Sequence, residues 1–446
     1  MPDEIQLDTT NKAFSYAVEA VLHRGQSIFL TGKAGTGKTT FLKHMKTITE
    51  KMVVILAPTG VAAINAGGQT IHSFFNMDFG PLLMDDTQYA PENIQKKFKF
   101  NKKKIELINN IEILVIDEVS MVRADLLDMI DRVLKTYRNS YEPFGGVQMV
   151  LIGDVFQLPP VVNKSEWGML NRFYKSAFFF SAKAFQELGP QSVELDKIYR
   201  QDDDDFIDLL NKIRVNEIAQ HELDAVNVRA VESPHSEKRY ITLSTHNYVV
   251  NTINKKKLDA LTTDAILFQA EVLKEFPTKA IPTDVLLELK EGAQVMFVKN
   301  DLGDRKRYYN GTIGTIIELK SDFIKVEVEN YGTIIVEQAE WENIKFEWDE
   351  KEQAIKKKVI GTFKQYPLRL AWAITVHKSQ GLTFDHVIAD LDQSFSEGQV
   401  YVALSRCSSL EGLVLTNPIP RRAIKANPIA LRFMEWMRNG GFDDYA

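Results

Sequence analysis

Short apolar runs separated by amphipathic or polar stretches give the first part of the chain a regular rhythm. Residues 28–30, 53–57, 113–116 and 148–152 are predominantly apolar, and each is followed by a loop and a helix-like or polar segment. Such runs predict buried strands, and their alternation with helices predicts an α/β domain with a parallel sheet. In a sheet of that kind, ligands bind beyond the carboxyl ends of the strands. A second alternating region starts near Ser192, with strands expected at 193–195, 241–244, 387–390 and 413–415. Between them the texture changes. Segments 295–298, 312–319, 323–328 and 333–336 are short and rich in β-branched residues, and Asn330-Tyr331-Gly332 reads as a hairpin turn. The expected organisation is a first domain over 1–190 and a second over 191–290 and 359–446, with a small β module at 291–358 inserted into the second. Residues 76–104 break the first domain's rhythm and read as a small protruding insertion.

Composition narrows the class without naming a chemistry. At 446 residues, two or three domains are expected, and 44% hydrophobic with 26% charged residues is ordinary for a soluble globular protein. No apolar run is long enough to span a bilayer, so no membrane partner is expected. Met1-Pro2-Asp3-Glu4 lacks the basic-then-apolar character of a secretory leader. With the single cysteine Cys407 excluding an internal disulfide, a reducing, cytoplasmic setting is expected, bacterial or phage-like and nucleoid-associated in use. The net charge of −6 argues against a bulk polyanion binder, but basic clusters at 96–104, 255–257, 305–307 and 356–358 matter more than the total. The acidic run 202–205 suits a helix N-terminus. No Cys/His spacing supports a zinc site.

The densest chemistry lies in Thr31-Gly32-Lys33-Ala34-Gly35-Thr36-Gly37-Lys38-Thr39-Thr40. It holds a G-x-x-x-x-G-K-T pattern between an apolar strand and an expected helix over 39–49. Glycines let the backbone N–H groups curl around phosphate oxygens, and the helix N-terminus adds partial positive charge. Lys38 reaches the outer phosphates, and the Thr39 hydroxyl can bind Mg²⁺. Gly32, Ala34, Gly35, Thr36, Gly37, Lys38, Thr39 and Thr40 are thus nucleotide-binding candidates. The strand at 113–116 ends in Asp117-Glu118. Behind a phosphate loop such a pair supplies a Mg²⁺-shell carboxylate, Asp117, and a water-polarising acid, Glu118. Gln157, after the strand at 148–152, can sense the γ-phosphate by hydrogen bonding. Arg200 and Arg406 can stabilise charge on the transferred phosphoryl group. Pro58-Thr59-Gly60, His72 with Phe74, and His377-Lys378 lie in loops able to contact a phosphodiester backbone. Each of these loops alone also reads as an ordinary structural turn, and the histidines as structural.

The blocks GKAGTGKT (32–39), APTGVAA (57–63), TIHSFF (70–75), IDEVSM (116–121), GDVFQLPPV (153–161), YRQ (199–201), AWAITVHKSQGLTFDHV (371–387) and QVYVALSRCSSLEGL (399–413) stand in the order found in superfamily-one DNA helicases. The segment 118–138 and the VYVALSR block make the chain resemble the Pif-one family more closely than the related RecD helicases. The resemblance spans nearly the whole chain. It implies two RecA-like domains with ATP between them, an SH3-like module at 291–358 and a wedge at 76–104. It further implies movement 5′ to 3′ on single-stranded DNA and unwinding of duplex, forked or G-quadruplex DNA in replication, repair, recombination or telomere maintenance. By match, Lys38 and Thr39 bind phosphates and Mg²⁺, Asp117 holds Mg²⁺ and Glu118 is the catalytic acid. Gln157 is the γ-phosphate sensor, Arg200 and Arg406 are arginine fingers, and Gly381 joins the nucleotide site. Pro58, Thr59, Gly60, His72, Phe74, His377 and Lys378 line the DNA track. The family's adenine-reading Gln is replaced here by Asn11, with Gln6 nearby, which points to relaxed nucleotide selectivity. A monomer is expected in solution. The alternatives are a nucleotide-gated binding protein without motor activity, and a helicase acting on RNA or RNA–DNA hybrids.

Overall fold

In the computed structural model, β1 (Ile28–Gly32), β2 (Val53–Ala57), β3 (Gln69–Thr70), β4 (Ile113–Ile116), β5 (Gln148–Ile152) and β6 (Gln191–Leu195) form one parallel sheet in the order β3-β2-β4-β5-β1-β6. The structure describes residues 11–201, 203–230, 239–301, 307–329, 331–349, 352, 354–391, 393–394 and 396–439. The chain divides into two units. The first comprises Met1–Tyr199, Asn343–Ile360 and Asn427–Ala446, and the second Arg200–Glu342 and Gly361–Ala426. Among the described residues no helix is long and apolar enough to cross a membrane.

In the first unit the strands β1, β4 and β5 are buried, because helices cover both faces of a parallel sheet. Leu30 pairs with Ile152, Ile116 with Leu151 and Leu56 with Ile116, so the carboxyl ends of β1, β2, β4 and β5 finish level. Helix Ala124–Arg138 carries three buried carboxylates, three residues apart, on the face it turns inward. Each satisfies the backbone of a different neighbouring segment. Asp125 accepts from Leu82 N at 2.8 Å, Asp128 from Ala184 N at 2.8 Å, and Asp131 from Phe144 N at 2.6 Å. Burial raises the carboxyls of Asp128 and Asp131 above their ordinary value. Arg123 pairs with Asp125 at 2.7 Å and donates to the Gly80 carbonyl, and Arg132 donates to Tyr89 O at 2.6 Å. The insertion after Phe75, which contains the short helix Ile94–Lys97, is therefore anchored by this helix and its N-cap Arg123, with a further ion pair between Arg172 and Asp85 at 3.5 Å.

The second unit is built on a parallel sheet of β7 (Ile241–Ser244), β18 (Ala373–Thr375), β19 (Val387–Asp390) and β20 (Leu413–Leu415), ordered β18-β7-β19-β20. Strands β8 (Ala265–Gln269) and β10 (Leu286–Lys290) pair with each other, and β9 (Glu271–Lys274) pairs antiparallel with β16 (Ala354–Gln365). The β-branched texture becomes a five-stranded antiparallel sheet. It takes β11 (Gln294–Phe297), β12 (Ile313–Leu319), β13 (Ile324–Val328), β14 (Gly332–Val336) and β17 (Leu368–Leu370), ordered β14-β13-β12-β11-β17. Val295, Phe297, Ile316, Val326 and Leu368 sit in one buried cluster between its faces and the flanking segments. Val328 lies opposite Gly332 across β13 and β14. Of the expected turn there, Asn330 lies outside the described residues, as do Asp202 of the acidic run and Arg305 and Lys306 of one basic cluster.

Three expected boundaries move. Residues 193–195 belong to β6, paired in parallel with β1, so the first sheet extends past 190. An alternating pattern identifies a strand but not the sheet that it joins. Residues 343–358 leave the β module, because β15 (Ala339–Asp349) and β16 carry them into the first unit. There Phe346 N donates to Gln69 Oε1 at 3.2 Å, and Lys357 Nζ to Gly67 O at 2.8 Å. Helix Pro428–Arg438 also leaves the second domain for the first unit, where Phe433 stacks on Phe180 with ring centres 4.0 Å apart.

Asp125 is fully buried, and its loss strands the Arg123 charge and the Leu82 N–H together. Asp125→Ala is expected to destabilise the first unit by about 3 kcal/mol. Urea unfolding of the full chain measures this, and an unmoved first transition would show that apolar contacts alone hold the insertion.

Candidate nucleotide and nucleic-acid sites

β1 ends at Gly32, and residues 33–37 turn the chain into helix Lys38–Ile48. Gly32 has φ +150°, and a Cβ there would stand 2.5 Å from the Leu195 carbonyl oxygen. Gly37 caps the helix from the left-handed region at φ 91° and offers no side-chain cap. Gly37 thus leaves the first N–H groups of the helix without a cap from its own side chain, as an anion site requires. Lys38 Nζ donates to Gly32 O at 2.6 Å and Lys33 O at 2.9 Å. Thr36 is buried and its hydroxyl donates to Lys33 O at 2.9 Å. Ala34 is buried, Gly35 and Thr40 are half-buried, and Thr39 presents its side chain to solvent.

The level strand ends bring two more loops alongside. Asp117 follows β4 and accepts from Glu118 N at 2.9 Å. Burial, then the Glu118 charge, raises the Asp117 carboxyl, and the nearby Lys38 ammonium opposes the rise. A divalent cation would fit such a place, since it holds a buried carboxylate ionised. Glu118 itself has φ 52°, a conformation that non-glycine residues adopt at a cost and that clusters at functional sites. After β5, Gln157 is buried, with Nε2 3.4 Å from Asp154 Oδ2. Thr31 Oγ1 and Ser120 Oγ are buried without hydrogen-bond partners among the described residues.

Asn11 caps helix Lys12–Leu22 by accepting from Phe14 N at 3.0 Å. Its Nδ2 donates to Tyr199 Oη at 3.1 Å. Tyr199 donates its backbone N–H to Gly35 O at 2.9 Å, and its ring approaches within 3.9 Å of where a Gly37 Cβ would be. Within YRQ (199–201) the sequence marks Arg200, and not this tyrosine, as a site residue. The tyrosine's signal was its aromatic ring beside Arg200. Gln6 lies outside the described residues.

The nucleic-acid candidates divide by burial. Pro58, Thr59 and Gly60 are half-buried, and Thr59 Oγ1 caps helix Gly60–Ala66 by accepting from Ala62 N at 3.2 Å. His72 stacks on Phe79 with ring centres 4.5 Å apart, and Phe79 is 71% exposed. This exposed ring was missed, because a lone phenylalanine in an insertion has no periodic signal. Phe74 is corrected. It is 1% exposed, packed against Phe75 and Phe346 with the Lys104 ammonium over its ring, and offers no face to a strand. Burial, then Lys345, drives the Lys104 ammonium well below its ordinary value.

In the second unit, Arg200 is half-buried and donates to Ser405 O at 3.3 Å. Arg406 is 1% exposed and donates to Val402 O at 2.9 Å and to Ser405 Oγ at 2.8 Å. Thr375 Oγ1 accepts from Lys378 N at 3.4 Å, closing the tight turn that carries His377 and Lys378, both exposed. Gly381 follows in the left-handed region at φ 77°.

A sequence model of the PIF1-like helicases matches residues 6–224, and one of the UvrD-like helicase C-terminal domain matches 370–414. The human ATP-dependent DNA helicase PIF1 is 33% identical over 98% of this chain and 66% of its own length. The chain thus spans just under two thirds of that relative. Pif1 of Bdellovibrio bacteriovorus is 31% identical, covering 93% of this chain and 89% of its own. The crystal structure of Bacteroides sp. Pif1 with ADP-AlF4 superposes with a TM-score of 0.89 at 41% identity, covering 97% of each chain. The same Bacteroides protein bound to single-stranded DNA gives 0.69 at 41% identity, covering 96% and 97%.

Asn11→Ala removes a helix cap and the tether of Tyr199 together. The cap alone is worth about 1 kcal/mol. A lower thermal midpoint accompanied by weaker binding of a fluorescent ATP analogue is expected, and unchanged nucleotide affinity would show that Tyr199 needs no tether.

Proposed function

This chain belongs to the PIF1-like helicase family, and we propose that it is an ATP-dependent DNA helicase moving 5′ to 3′ on single-stranded DNA. The observation that carries the reading is the alignment of β1, β4 and β5, which puts Lys38, the Asp117-Glu118 pair and Gln157 on three neighbouring loops at one sheet edge. Forked duplexes and G-quadruplexes, met in replication, repair or recombination, are the substrates the resemblance suggests.

In this reading ATP's phosphates replace the Gly32 and Lys33 carbonyls as partners of the Lys38 ammonium. Thr39 and Asp117 would hold Mg²⁺, which would supply compensating charge to the outer phosphate oxygens. Glu118 orients a water and accepts its proton as the oxygen attacks the γ-phosphorus and the bond to ADP breaks. Gln157 offers its amide to the γ-phosphate. Arg200 and Arg406 take the arginine-finger role of their motif positions, and Arg406 must exchange its Val402 and Ser405 partners to do so. Tyr199, beside the phosphate loop, supplies an aromatic face to the base.

Thr59, His72 and the exposed Phe79 in the first unit, and His377 and Lys378 in the second, serve the strand. Phosphate contacts with backbone and hydroxyl groups make such tracking largely independent of sequence, and the Phe79 ring suits any base.

Lys38→Ala is expected to abolish ATP turnover. Glu118→Gln should lower it by roughly 10²–10⁴-fold while sparing nucleotide binding. The deciding measurement is ATP-dependent strand separation on one duplex carrying either a 5′ or a 3′ single-stranded tail. Opening from the 5′ tail alone is expected. Opening from the 3′ tail would overturn the polarity, and turnover stimulated by RNA but not DNA would move the track to RNA.

A further inference from the structure

A cavity of about 300 Å³ opens in the second unit, between one face of helix Asn247–Asp259 and the strands β10, β17 and β18. Lys255 on the helix lines it, and so do two further cations: Arg369 on β17, and Lys378 in the turn that follows β18. Neither side chain has a hydrogen-bond or ion-pair partner among the described residues. The other polar groups of the wall are largely engaged. Asn254 donates to Ala373 O and accepts from Ala373 N, both at 2.9 Å, and Lys255 pairs with Asp259 at 2.9 Å. Two unpaired cations in one cavity repel each other, and Lys378 is held below the ordinary lysine value by its partly enclosed position and by the Arg369 charge. Two carboxylates, Asp284 and Glu288, also line the cavity, and Asp284 opposes that effect without closing an ion pair. Burial likewise lowers the Arg369 guanidinium, again opposed by Asp284.

This is an arrangement that an oxyanion relieves. The planar Arg369 guanidinium suits two oxygens of one phosphate, and Lys378 adds a point charge. Nothing in the phosphate loop is involved, since the cavity lies wholly within the second unit. The cavity has the volume for about one nucleotide. Beside the cations, Asn251 adds a polar side chain, and Leu286, 52% exposed, adds an apolar lip. A cationic floor with an apolar rim is the chemistry of single-stranded nucleic-acid grooves.

We propose that Arg369 and Lys378 form a phosphate seat in the second unit that holds one backbone phosphate of the tracked strand. The inference rests on the strand-tracking function proposed above and adds Arg369 and this cavity to it. Asp284 sets the sign of a second test, because removing its charge should strengthen an anion site.

The experiment is the salt dependence of binding of a fluorescent oligothymidylate by the full chain, for wild type, Arg369→Gln, Arg369→Lys and Asp284→Asn, with folding checked by thermal melting. Arg369→Gln is expected to reduce the slope of log affinity against log salt by about 0.7, the loss of one phosphate contact on a single strand. Arg369→Lys should keep the slope, and Asp284→Asn should tighten binding. A folded Arg369→Gln protein with the wild-type slope would overturn the seat. Should that variant not fold, Asp284→Asn decides, and weaker or unchanged binding overturns it. Tripolyphosphate is the probe for a free anion: stabilisation that depends on Arg369, with an unchanged oligothymidylate slope, would overturn the strand as the source. Wild-type protein that does not bind oligothymidylate would sink the tracking function itself.

Discussion

The close approach of β1 to β6 at Gly32 is the constraint on which the nucleotide end of the first unit depends. A Cβ at that position would collide with the Leu195 carbonyl, so glycine is required before any ligand is considered. The chain then turns at once into helix Lys38–Ile48, with Gly37 in the left-handed region and offering the helix N–H groups no cap from its own side chain. Because the strands are parallel and finish level, every loop at that edge faces the same space. The Asp117-Glu118 pair and Gln157 inherit their positions from this register.

The helix Ala124–Arg138 plays a comparable part away from the chemistry. Apolar packing would bury it without fixing the loops around it. Its three inward carboxylates do fix them, because Leu82, Ala184 and Phe144 each find the acceptor for a backbone N–H there. Buried carboxylates are costly unless fully partnered. Here the same groups that would be liabilities in isolation set the seat of the insertion and of two connecting segments.

Burial, more than residue type, separates the side chains that can meet a strand from those that cannot. Phe74 and Phe79 are both phenylalanines near His72, yet one is sealed among Phe75, Phe346 and Lys104 and the other lies open. Arg406 and Arg369 contrast in a similar way. Arg406 is engaged by Val402 and Ser405, while Arg369 faces a cavity with no ion pair among the described residues.

The α/β class, most of the parallel strands and the glycine-rich turn between β1 and helix Lys38–Ile48 were legible along the chain, because each is a local pattern. Apolar runs of strand length, glycines at fixed spacing and an acid pair at a strand end are legible without the fold. The family's order of blocks was legible for the same reason. Tertiary structure decided what local pattern cannot encode. It assigned 193–195 to the first sheet through pairing with β1, and returned 343–358 and the helix of Phe433 to the first unit through contacts with Gln69 and Phe180. It placed Phe74 inside and Tyr199 beside the phosphate loop, and gathered Arg369 and Lys378 into one cavity. Those outcomes depend on neighbours distant along the chain, which the period of a strand or helix does not record.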